Sequence, residues 1–161
     1  MHGTERGRLL EKLLRELVRA ELFAVEHVEP QVMRLGECAP VDALREVANH
    51  ALVMRTRFTL ALEGHGLVVA RGGLTQTLST LRPLVGEDEQ RAYRGALLDF
   101  RHGMDVVRVM REVARLEELF ALIRWCDDWL AARRTLVARV EAQLSWFVDR
   151  APPRSREDDR R

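Results

Sequence analysis

The sequence predicts an all-α chain folded as an antiparallel four-helix bundle, with a long crossover between the second and third helices. Two observations carry that expectation. Apolar residues recur with the 3.6-residue period of an amphipathic helix over most of positions 4–62 and 87–150. Between them, residues 67–86 hold Gly72, Gly73, Thr75, Thr77, Ser79, Pro83 and Gly86, which mark a connection rather than a long helix. A connection of that length can travel from one end of a bundle to the other. With 161 residues, 47% of them hydrophobic, the chain can bury one core and is too apolar for general disorder.

The first helix is expected from a Thr4 cap to about Leu35, ahead of Gly36. Its stripe is Leu10, Leu13, Leu14, Leu17, Val18, Ala24, Val25, Val28 and Val32. Pro30 lacks a backbone donor, so a kink or an early end is expected there. Pro40 and Asp42 open the second helix, Asp42 being placed to accept from first-turn amides. Its stripe runs through Leu44, Val47, Ala51, Met54, Phe58, Ala61 and Leu62 to a stop at Gly64 and Gly66. The crossover has room for one short helix around Leu74–Leu81.

From Glu87 the pattern is helical again. The third helix carries Tyr93, Leu97, Phe100, Met104, Val107 and Met110. The fourth carries Leu119, Phe120, Ile123, Cys126, Leu130, Val137, Val140, Leu144 and Phe147, to about Arg150. One rod over this whole stretch would span roughly 95 Å, and no heptad pattern with charged flanks supports it. A tight turn is therefore expected near Ala114–Glu117, with Gly103 as the alternative break. Residues 1–150 form a single helical bundle domain in this reading, and the proline- and charge-rich residues 151–161 a disordered tail.

Charge removes several functions. Charged residues make up 32% and nearly cancel at a formal +1, so there is no basic excess to hold nucleic acid or an anionic membrane. Lys12 is the only lysine, a bias that fits a GC-rich bacterial genome. The first six residues lack the apolar core of a signal peptide, and no apolar run approaches a membrane span, so a cytoplasmic location is expected. Cys38 and Cys126 make neither a disulfide framework nor a zinc spacing. No P-loop, dinucleotide fingerprint or Ser-His-Asp arrangement is present in the sequence.

Three segments resemble the ferritin-like four-helix-bundle superfamily, over roughly residues 9–148. Glu21-Leu22-Phe23-Ala24-Val25-Glu26-His27 is similar to a first helix of that family, and Asn49-His50-Ala51 to its second-helix segment. Trp125-Cys126-Asp127-Asp128-Trp129-Leu130 falls where the fourth helix would hold an acidic motif. The resemblance implies the same bundle and crossover. In the family it also implies two iron or manganese ions, held by a Glu from each of two helices and a Glu-x-x-His pair from each of the others.

Here that pattern is broken. Asn49 stands three residues after Glu46, with His50 one step out of register, and Leu130 and Ala131 follow Asp127 and Asp128. The one acid-x-x-His match, Asp99 to His102, is on the third helix, where a lone Glu is usual. The expectation is thus a degenerate member with its metal ligands largely missing, and with no metal, cofactor or catalytic residue. Any non-standard iron or manganese site would be drawn from Glu21, His50, Asp99 and His102.

Each polar residue also has a plainer explanation. Glu21 lies on the core stripe between Leu17 and Ala24, where a carboxylate needs a partner or a proton, and a salt bridge to an arginine at the stripe's edge is favoured. His50 is expected as a hydrogen-bonded core histidine, and Asp99 and His102 as a pair across adjacent turns. Glu26, His27, Glu29, Arg124, Asp127 and Asp128 are read as solvated. Trp125 and Trp129, with Leu122 and Leu136, add a second stripe to the fourth helix. It is either covered by the crossover or forms a self-association interface.

The function expected is a non-catalytic scaffold or interaction module, a homodimer with a further, unidentified protein partner. One alternative is a metal-binding or oxidative-stress protein. The other is a helical regulator that holds an apolar small ligand between its helices.

Overall fold

The computed structural model describes residues 5–63 and 88–150. Among them there is helix and turn and no strand. The helices are α1 (Glu5–Glu26), α2 (Val28–Leu35), α3 (Ala39–Glu63), α4 (Glu89–Leu116), α5 (Phe120–Ala142) and α6 (Leu144–Asp149). The long ones, α1, α3, α4 and α5, make the bundle. Helix α1 lies against α3 and α4, and α5 lies against the same two. The short α2 packs beside α3, α1 and α4, and α6 continues from α5. The expected Thr4 cap, the glycine stop at Gly64 and Gly66, the crossover and the tail lie outside the described residues.

The break in the first helical segment falls at His27, just ahead of Pro30. An α-helix running through Pro30 would set its ring against the carbonyl four residues back. That residue is Glu26, the last of α1, so the chain ends one helix and starts another. Gly36 ends α2 with φ +71, and its amide donates to the Val32 carbonyl at 2.9 Å. Asp42 is in the first turn of α3, but its carboxylate accepts from Arg45 at 3.3 Å, the guanidinium that Glu37 also holds.

Helix α4 begins on an Asp88 cap, whose side chain accepts from the Gln90 amide at 3.3 Å. It passes through Gly103 without a break. The turn to α5 comes at Glu117–Leu119, slightly later than the sequence suggests. Glu118 takes the left-handed conformation, φ 56. The Leu119 amide donates to the Ala114 carbonyl at 2.9 Å and the Glu118 amide to Arg115 at 3.3 Å, which is a Schellman stop made without glycine.

The core joins the inward stripes of all four long helices, from Leu13 and Leu17 through Val47 and Met54 to Phe100, Val107, Trp129 and Val140. At one end Tyr93 donates to the Val140 carbonyl at 3.1 Å and reaches the Pro40 carbonyl at 3.4 Å, tying α4 to α5 and α3. Burial pushes the Tyr93 hydroxyl well above an ordinary phenol.

Candidate functional site

On α5 the inward stripe reads Cys126, Leu130, Val137 and Val140, and Arg133 stands in the gap between Leu130 and Val137. Helical period therefore turns Arg133 into the core, where it is 2% exposed. A buried charge is costly unless it is paired and hydrogen-bonded.

Arg133 meets both conditions. Its Nη2 donates to the two carboxylate oxygens of Glu21 on α1, at 2.8 and 3.0 Å. Its Nε donates to Nδ1 of His50 on α3 at 3.2 Å. The guanidinium carbon lies 4.4 Å from the centre of the Trp129 ring, a cation–π contact. Trp129 Nε1 in turn donates to Glu21 at 3.4 Å. One guanidinium thus ties α1, α3 and α5 in mid-bundle. Helix α4 closes the fourth side at Gly103, where an added Cβ would sit 3.4 Å from Ala20 Cβ and 3.8 Å from Trp129 Cη2.

The geometry sets the protonation states. An arginine nitrogen can only donate, so His50 Nδ1 is bare and the ring proton is on Nε2. That nitrogen is buried and has no partner among the described residues. Burial, then the positive charges of Arg133 and Arg57, push His50 down to about 4, so it is neutral at pH 7. Burial raises the Glu21 carboxyl, while Arg133 and Trp129 pull it back. Burial also lowers Arg133, against Glu21, but guanidinium is basic enough to stay charged.

Glu21 therefore has the arginine partner expected for it, although that arginine is in the core rather than at the stripe's edge. The set Glu21, His50, Asp99 and His102 does not come together. Arg133 stands between Glu21 and His50, Asp99 bonds to Nε2 of His27 at 2.8 Å, and His102 is exposed. Among the described residues, no three His, Cys, Asp or Glu side chains are grouped as a metal ion requires. His27, read as solvated, is instead a partly buried bridge from the end of α1 to α4. Only its long-range pairing could have revealed this.

Trp125, Trp129 and Leu122 are buried in the chain's own core, and Leu136 is partly buried against it. This corrects the expectation of an interface there. Helix α5 faces α3 and α4 and reaches α1 through Glu21, so its broad apolar arc is covered from three sides. Trp125 also donates to the Met54 carbonyl at 3.4 Å and packs on Phe58. Cys126 is enclosed there too, and burial pushes its thiol up to about 12, which makes it inert.

Sequence reasoning missed Arg133. Its place in the α5 stripe was the available signal, since a residue seven after Cys126 and four before Val137 must face inward.

Fold and site together define an all-helical bundle braced by a buried ionic cluster. No protein-family model, curated protein or solved structure matches the chain. Among the described residues, no helix is long and apolar enough to cross a membrane.

Proposed function

We propose that the chain is a degenerate ferritin-like bundle, antiparallel with a crossover between α3 and α4. In this reading it is a non-catalytic scaffold or interaction module of the bacterial cytoplasm. The observation that carries the reading is Arg133. In the ferritin-like family, carboxylates and imidazoles of facing helices surround metal ions in the core. Here a carboxylate of α1 and an imidazole of α3 surround a guanidinium. That cation is permanent and supplied by the chain itself. A metal ion bound at Glu21 or His50 would stand against it.

Cross-helix ion pairs support the topology. Arg6, early in α1, meets Glu117 just past α4 at 3.5 Å, and Arg101 of α4 meets Glu141 late in α5 at 2.7 Å. Arg139, late in α5, meets Glu46, early in α3, at 2.7 Å. Each of these pairings favours antiparallel neighbours. With Trp129 turned inward, a homodimer would use another face. Leu98 and Phe120, 63% and 67% exposed, are apolar surface left for it on the outside of α4 and at the start of α5.

The test is anaerobic loading with Fe(II) or Mn(II), followed by desalting and metal analysis. Well under one ion per chain and no ferroxidase activity are expected. Two retained ions per chain would overturn the scaffold reading in favour of a metal-dependent protein.

A further inference from the structure

We propose that His50 is an acid-sensitive latch, whose protonation releases α3 from α5 and α1 while α1 and α4 stay closed on each other. This goes beyond the scaffold reading and does not depend on it. The Arg133 Nε bond at 3.2 Å requires a bare Nδ1 on His50. A protonated imidazole carries hydrogens on both nitrogens and cannot accept. It would set two cations side by side where Arg133, 2% exposed, has no room to withdraw. Glu21 offers one negative charge, and Arg133 and Trp129 already share it.

Among the described residues, the charges that act on His50 are Arg133 of α5 and Arg57 of its own helix, both positive. Glu21 of α1 lies behind the guanidinium. His50 Nε2 has no partner among the described residues to retain the ring once the Nδ1 bond is lost. His50 is only partly buried, so movement of the imidazole away with α3 is the open route.

His27 lies apart from this cluster. Its Nε2 meets a carboxylate oxygen of Asp99 at 2.8 Å, a contact between the end of α1 and α4 that does not involve Arg133. The side that opens is lined by Phe58, Trp125 and Trp129.

The sign follows from linkage. In the folded chain burial holds His50 at about 4, against a usual 6.5, so the unfolded chain takes the proton first. Stability present above the unfolded value is then lost as pH falls toward the folded one. At pH 5 the opening constant should exceed that at pH 7.5 by roughly tenfold or more.

The experiment is amide hydrogen exchange on the full chain at pH 7.5 and 5.0, corrected for intrinsic rates, beside His50→Gln. The glutamine oxygen can accept from Arg133 at either pH. In the unmodified chain, exchange at pH 5 should rise about tenfold in α3 and the facing part of α5 and stay unchanged in α4. His50→Gln should show no such rise. An equal rise in His50→Gln, or one spread evenly over all helices, overturns the latch. If His50→Gln does not fold, NMR titration of the unmodified chain decides. A ring titrating below pH 5 together with α3 opening supports the proposal, and a ring titrating near 6.5 with α3 still protected overturns it.

Discussion

Arg133→Met separates the ionic tie from the volume of the side chain. Methionine can fill much of the space, but it leaves the Glu21 carboxylate, 14% exposed, with only the Trp129 donor at 3.4 Å. His50 Nδ1 loses its donor as well. Removing one partner of a buried ion pair costs about 3–5 kcal/mol, and the lost bond to a neutral imidazole adds about 1 kcal/mol. A loss of about 4–6 kcal/mol is a large part of the roughly 5–15 kcal/mol that holds a domain folded. Arg133 is the largest influence opposing the burial of Glu21, so its removal raises that carboxyl further. A folded value above the unfolded one means that the loss is greatest at neutral pH and shrinks as pH falls and the carboxyl takes a proton. The double variant Glu21→Leu with Arg133→Met removes both charges and should recover most of the stability. Urea unfolding followed by far-UV circular dichroism at pH 7.5 and 5 measures all three chains. A loss below about 1 kcal/mol for Arg133→Met, or a double variant no better than the single, would mean that the Glu21–Arg133 pair does not brace the core.

Other outcomes follow from the packing. Trp129→Glu places a charge at a fully buried position, so it should leave the chain unfolded or precipitated rather than give a folded monomer, as solubility and circular dichroism would register. Gly95→Ala should raise stability by about 0.5–1 kcal/mol in urea unfolding, since the new Cβ meets nothing within 4 Å and helix entropy favours alanine. Glu118→Gly should gain about 1 kcal/mol by relieving the left-handed backbone, and an unchanged midpoint would mean that the turn is not strained.

The helices were legible because burial imposes a period, and the period needs only the sequence. Pro30 and Gly36 marked real boundaries for reasons local to the backbone. The turn to α5 was blurred because Glu118, rather than a glycine, takes the left-handed position. Glu21 could be singled out because a carboxylate interrupts an apolar stripe. Arg133 interrupts the α5 stripe in the same way, but long arginines often reach solvent from a helix flank, so its burial depends on α1 and α3 supplying partners. The fate of the tryptophans likewise depended on how many helices face α5. His27 and Asp99 are joined across 72 residues, a link that no local spacing encodes.

The central claim is that the cation in the core is the side chain of Arg133, held between Glu21 and His50. Manganese titration of the isotope-labelled chain, read at the Arg133 Nε–H and His50 ring resonances, tests it most directly. A sharp Arg133 Nε–H signal that is slow to exchange is expected, with no selective broadening of either residue by equimolar Mn(II). Selective broadening of both, reversed by a chelator, would place a metal ion between Glu21 and His50 in place of the guanidinium.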